Sequence, residues 1–231
     1  MLCKLFSPRQ STSTPITDYT TVTVRTQSTR KTTENVIPTT TAAPLCANPF
    51  SGNITTIFEL NASQAEIQYV ADFVTYNLYN SANYDFTGAT QAINVPYGDT
   101  YNQNVDNILN FGDAKSLSDL QSNIDTLYTN APLASSAQVA DGLDWFIAKR
   151  DPDGTSGIII VVGYHDDSNY ALTTADLYTL RQEGYKVLTV SVGSNLPTFG
   201  DIADKPEWYF QVNDSNGQSI ANQISYILCN L

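Results

Sequence analysis

The chain has 231 residues, 42% of them hydrophobic, and a net charge of −12. That is room for one domain with an appendage and for an ordinary buried core. The acidic balance excludes a nucleic-acid binder, which needs a basic surface, and no stretch approaches the ~18 apolar residues of a membrane span.

The charge is unevenly spread. Residues 1–44 hold Lys4, Arg9, Arg25, Arg30 and Lys31 against Asp18 and Glu34, about +3, which leaves about −15 on the remainder. From Ser11 to Pro44 nearly half the positions are Ser or Thr, with Pro15, Pro38 and Pro44 among them. Such a composition cannot build a core, so residues 1–44 are expected to be a disordered linker or stalk, with or without O-linked sugars. Met1 to Phe6 is too short for a signal-peptide core. Residues 45–231 are expected to form the folded domain.

That part opens with a predicted strand, Thr55 to Leu60. Asn61-Ala62-Ser63 ends it and caps a helix running to about Tyr79, with Ile67, Val70, Ala71, Val74 and Leu78 on one face. Ala89 to Val95 reads as a strand, Pro96-Tyr97-Gly98 as a turn, and Asn107 to Phe111 as a further short strand. Ser116-Leu117-Ser118-Asp119 starts a helix through Leu127 or Tyr128, and Pro132 breaks the chain beyond it. Ser135 or Ser136 opens another helix, with Val139, Leu143, Phe146 and Ile147 inward, ending before Asp151-Pro152-Asp153-Gly154.

The strongest signal follows. Gly157 to Gly163 places five consecutive aliphatic residues between two glycines. A strand with one wet face would alternate, so this run predicts a strand covered on both faces. Lys186 to Gly193 is a second such strand. Leu172 to Glu183 between them has a helical stripe (Leu172, Ala175, Leu177, Leu180) and Gly184 as its stop. Strand, helix and strand make a βαβ unit. Trp208 to Val212 is a last strand, and Ser219 to Leu228 a closing helix with Ile220, Ile224, Ile227 and Leu228 inward. This alternation predicts an α/β fold: a doubly wound, mostly parallel, Rossmann-like sheet with helices on both faces.

Ligands of such sheets bind beyond the carboxyl ends of the strands, here at Gly163-Tyr164-His165-Asp166-Asp167. Ser63 or Ser136 with His165 and Asp166 would be the residue types of a hydrolase triad. Yet there is no Gly-x-Ser-x-Gly elbow and no oxyanion loop, so the chain is read as a non-enzyme and His165 as a surface histidine. The turn after the first strand lacks the glycines of a phosphate cradle. Asp166 and Asp167 read as a solvated acidic loop, or as an improvised cation site with Ser63. Of three cysteines, Cys46 and Cys229 mark the two ends of the domain, and domain ends often lie close together. They are either two unrelated thiols or a bridge closing a loop of roughly 180 residues, worth about 5 kcal/mol in the chain-entropy model, which implies an oxidising compartment. Cys3 is left over. Asn53, Asn61 and Asn213 each head an Asn-x-Ser/Thr acceptor for N-glycosylation.

Four features in this order resemble the von Willebrand factor type A domain: Thr56 to Ser63, Ser136 to Leu143, Gly157 to Tyr164 with Leu188 to Gly193, and Trp208 to Val212 followed by a helix ending in Cys229. The resemblance covers about residues 46–229. It implies a doubly wound adhesion-type fold, and the flanking cysteines resemble the pair that closes some of these domains. It also implies a place for Mg²⁺ or Ca²⁺, held in that family by Asp-x-Ser-x-Ser after the first strand, a Thr before a helix and an Asp after the central strand. Here the first motif falls on Asn61-Ala62-Ser63-Gln64-Ala65, the Thr on Ala137 and the Asp on Tyr164. Hard cations need oxygen ligands and charge compensation, so the adhesion site is expected to be degenerate and to hold no cofactor. A residual site would use Asn61, Ser63, Asp166 and Asp167. The resemblance further implies a secreted module of a larger mosaic protein that binds an extracellular protein or glycan.

Overall fold

The computed structural model describes residues 48–60, 64–87, 90–98, 105–130, 137–150 and 156–231. Five strands form one sheet: β1 (Asn53–Glu59), β2 (Gln91–Tyr97), β3 (Gly157–Gly163), β4 (Lys186–Val192) and β5 (Tyr209–Val212). Their order is β2-β1-β3-β4-β5, and every pairing is parallel. Asn53 stands opposite both Gln91 and Gly157, so β1 and β3 share the centre. All seven residues of β3 are buried, the outcome expected of an unbroken aliphatic run covered on both faces.

The helices are α1 (Gln64–Asp72), a π-helical stretch Phe73–Leu78 running into α2 (Tyr79–Ser81), then α3 (Leu117–Thr129), α4 (Val139–Lys149), α5 (Tyr170–Gln182), α6 (Pro197–Ile202) and α7 (Gly217–Cys229). The α1–α2 run, α3 and α7 pack together on one face, and α4, α5 and α6 on the other. The core lies in the two layers between sheet and helices, with Ile57, Phe58, Ile93, Leu120, Phe146 and Leu188 fully enclosed. A buried polar chain ties the edge strand to the first face. The Tyr79 hydroxyl meets Thr56 Oγ1 at 3.0 Å and Asn94 Oδ1, and Asn94 Nδ2 donates to the Leu120 carbonyl at 2.9 Å.

Several expectations are corrected. Pro96 and Tyr97 belong to β2 rather than to a turn. β2 is an edge strand, where the donor that proline lacks need not be part of the ladder. Asn107 to Phe111 is not a strand: Val105–Asn107 is a 3-10 turn. Helix α5 starts at Tyr170, and its inward residues are Thr173, Leu177 and Leu180. Leu172 of the predicted stripe is 52% exposed. Trp208 lies in a 3-10 turn just before β5. Helix α4 begins at Val139, with no side-chain cap from Gln138 before it. Ser135 and Ser136, the expected start signals, lie outside the described residues, as do Cys3, Cys46 and the whole of 1–44.

Candidate functional site

The chain order fixes where a ligand site belongs. From β1 the connection leads to β2 on one side, and from β3 onward the strands add on the other. The order of strand addition therefore reverses between β1 and β3, and the crevice lies beyond the carboxyl ends of these two strands. The last residue of β1 is Glu59, and β3 is followed by Tyr164 and His165.

Glu59 organises this end. It is 1% exposed. Its Oε2 accepts the backbone N–H of Tyr164 at 2.6 Å and of His165 at 2.9 Å. His165 Nδ1 stands 2.8 Å from Oε1. The Tyr97 hydroxyl at the end of β2 approaches Oε2 at 3.4 Å. Burial, with the Glu59 and Asp167 carboxylates nearby, holds that hydroxyl well above the ordinary tyrosine range, so it stays a neutral donor. Gly163 makes the approach possible, because a Cβ there would lie 2.3 Å from the Tyr97 oxygen and 2.5 Å from the Phe199 ring. One buried carboxylate thus ties three adjacent strand ends together.

His165 is accordingly more than the surface histidine expected. Its side chain is 46% exposed, but one edge is held by Glu59. Among the described residues the partner of His165 is Glu59, not Asp166, and its Nε2 faces Glu66 Oε1 at 3.9 Å. Ser63 and Ser136 lie outside the described residues.

Asp166 is exposed, whereas Asp167 is buried. Asp166 Oδ1 accepts the Thr198 N–H at 3.1 Å, at the start of α6. Asp167 is 8% exposed. Its Oδ1 accepts the N–H of Val139 at 3.2 Å and of Asn169 at 3.1 Å. It is the cap that α4 lacks locally, reached across 28 residues of sequence. Its Oδ2 is buried and has no hydrogen-bond partner among the described residues.

The family's metal position can be tested residue by residue. Tyr164, at the carboxylate position, puts a ring there: it lies near-parallel to Tyr69 of α1, 6.5 Å between centroids, with His165 edge-on at 5.2 Å. Gly193, at φ +87°, accommodates the Tyr164 ring; a Cβ there would come within 2.8 Å of it. Ala137, at the Thr position, is buried without a side-chain oxygen, and its carbonyl already accepts both the Ser168 N–H and hydroxyl, at 2.7 and 2.8 Å. Of the residual set Asn61, Ser63, Asp166 and Asp167, the first two lie outside the described residues. Among the described residues no three acidic, imidazole or thiol groups gather as metal ligands.

Of the glycosylation acceptors, Asn53 begins β1, and Asn213 is exposed beyond β5, its Oδ1 accepting the Ser215 N–H at 3.0 Å. Asn61 lies outside the described residues. Sequence reasoning missed Glu59 altogether. The available signal was a carboxylate within an otherwise apolar strand, at its carboxyl end.

No family model matches the chain. Uncharacterized protein C18H9.6 of Caenorhabditis elegans is 37% identical over 172 residues, 72% of this chain and 97% of that protein. Among solved structures, proximal thread matrix protein 1 from the mussel byssus superposes with a TM-score of 0.63 at 17% identity, over 80% of this chain and 48% of its own. This chain thus spans about half the length of that protein. The vWF domain of the type V pili tip protein Mfa5 from Porphyromonas gingivalis gives 0.53 at 9% identity, over 79% of this chain and 96% of its own. Manganese-loaded TRAP protein of Plasmodium vivax gives 0.52 at 11% identity, over 78% and 74%. At these identities the structural likenesses establish the fold. The chain belongs to the same family as C. elegans protein C18H9.6, and its sheet and helices have the von Willebrand factor type A-like architecture.

Proposed function

We propose that this protein is a non-enzymatic extracellular interaction module, one part of a mosaic protein, that binds a protein or glycan partner without a working metal site. The observation that carries the reading is the state of the sheet's carboxyl end. There a buried Glu59 is engaged by four groups of its own chain, and the Tyr164 ring, near-parallel to Tyr69, stands at the position where the resemblance expects a ligand carboxylate. Two of the fold relatives are named for extracellular structures, a byssal thread matrix and a pilus tip, which supports an adhesive role outside the cell. The Ser/Thr-rich residues 1–44 suit a spacer between modules. Cys229 ends α7 in a disulfide, and Cys46 is its proposed partner. Asn53 and Asn213 are the proposed glycan carriers on the described surface, with Asn61 a third.

The test is a pull-down from extracellular material with the full chain as bait, with and without a chelator. The reading expects specific capture that a chelator leaves intact. Absence of any specific partner, or capture lost on chelation, overturns it. One observation favours a second reading, cation-dependent adhesion through Asn61, Ser63, Asp166 and Asp167: the unpartnered, buried Oδ2 of Asp167.

A further inference from the structure

The carboxyl end of the sheet presents exposed side chains beside the Glu59 network. Tyr69 is 52% exposed, although its ring lies within 12° of parallel to that of Tyr164. His165 continues the row, and the Glu66 carboxylate, 30% exposed, stands beside it. The result is a short aromatic ledge with the Glu66 carboxylate at its edge.

The folded part keeps its basic residues away from this ledge. Its basic residues are Lys115, Lys149, Arg150, Arg181, Lys186 and Lys205. Lys149 and Arg150 end α4, and Arg181 is in the last turn of α5. Both helices start at the carboxyl end of the sheet and run away from it. Lys186 is the first residue of β4, and Lys205 precedes the turn that enters β5. Lys115 precedes α3, whose Gln121 bonds the Thr75 carbonyl and Asn80 at the far end of the α1–α2 run. All six therefore lie toward the amino end of the strands. The carboxyl end holds Glu59, Glu66, Asp166 and Asp167 instead. Helices α1 and α4 point their partial positive ends this way, but Glu66 in the first turn of α1 and Asp167 at Val139 offset them. A cation approaching the ledge meets an attractive field that the distant lysines and arginines do little to cancel.

The geometry points to a docking site at Tyr69, Tyr164, His165 and Glu66 for an arginine-bearing basic segment of a partner protein, its guanidinium lying on the tyrosine face. This rests on the interaction-module reading above and deepens it by naming the surface and the chemistry of the partner. An aromatic face attracts a cation through its quadrupole. Guanidinium is planar, weakly hydrated and able to pair with a carboxylate while it stacks, so arginine fits better than lysine. A neutral sugar would stack on the same rings but gain nothing from the carboxylate field. In the metal-binding members of the fold the partner brings an acid to a cation; here the module supplies the acid and the partner the cation.

The test measures binding of a fluorescent peptide of alternating arginine and glycine to the full chain by anisotropy at low salt. Matched peptides carrying lysine or neutral citrulline, and chitotetraose as a sugar, serve as competitors. The arginine peptide should bind at least about tenfold tighter than its citrulline counterpart, and binding should weaken as salt rises. Tyr69→Ala should weaken it about threefold and Tyr69→Ala with Glu66→Gln about tenfold, while Tyr69→Phe keeps it. Tyr178→Ala, at an exposed tyrosine of α5 well away from the ledge, should change nothing. Equal binding of the citrulline peptide, displacement by chitotetraose, or indifference to the Tyr69/Glu66 double variant overturns the proposal. A partner captured equally by the wild-type chain and that double variant would sink the ledge while leaving the interaction-module reading intact.

Discussion

Removing the Glu59 carboxylate should loosen the sheet's carboxyl end more than any other single change there. In Glu59→Ala the backbone N–H groups of Tyr164 and His165 lose an acceptor held at 2.6 and 2.9 Å, in a site where the side chain is 1% exposed. A hydrogen bond to a charged group is worth about 1.5–3 kcal/mol, and these donors are left without a built-in replacement. Allowing for water that enters the vacated space, the loss should be about 3–5 kcal/mol. For a domain of this size that lowers the melting temperature by roughly 10 °C. Glu59→Gln keeps one carbonyl oxygen but turns an amide toward a donor, and should cost about half as much. Urea unfolding of the full chain, followed by circular dichroism, reads both values. A loss below about 1 kcal/mol for Glu59→Ala would refute the idea that this carboxylate ties the strand ends together.

Asp176 of α5 is pushed up to about 6 by burial and by the Asp144 carboxylate nearby. A folded-state value above the unfolded one means the native protein holds the extra proton between about pH 4 and pH 6, so stability falls as pH rises through that window. Two units would correspond to about 3 kcal/mol, which screening at this partly exposed side chain reduces to about 1. Asp176→Asn should therefore stabilise the protein by about that amount at pH 7 and by almost nothing at pH 4; an equal effect at both, measured by urea unfolding, contradicts the assignment. Asp167→Ala removes the cap of α4 and should cost about 1–2 kcal/mol, with Asp167→Asn milder because it retains an acceptor for Val139. Gly193→Ala combines a left-handed backbone with a 2.8 Å approach to the Tyr164 ring. It should destabilise by about 1–2 kcal/mol and shift the NMR signals of the Tyr69 and Tyr164 rings, whereas unshifted rings would mean that Gly193 does not set the Tyr164 position.

The fold was legible where one physical cause acts alone. The aliphatic run Ile158–Val162 has no reading but a strand buried on both faces, and β3 runs from Gly157 to Gly163 as expected. Ser116 was legible as a cap because its partner, the Asp119 N–H at 3.2 Å, is three residues away. The errors fall where tertiary context overrides a local signal. Pro96 reads as a turn until the strand that contains it proves to be an edge. Leu172 reads as core, yet the buried position beside it is Thr173, and the helix starts at Tyr170 rather than at Leu172. The candidate site was half legible. The doubly wound pattern and the Gly163–Asp167 segment pointed to the end of the sheet where Glu59 lies. Glu59 and the capping role of Asp167 were not legible, since their partners lie 105 and 28 residues away along the chain.

Calorimetric titration of Mg²⁺, Ca²⁺ and Mn²⁺ into the full chain is the most direct trial of the claim that a glutamate with its own protein donors, rather than a cation, organises this end of the sheet. The account predicts no saturable heat at concentrations on the order of micromolar. A clear isotherm in that range, abolished by Asp166→Ala with Asp167→Asn, would contradict it.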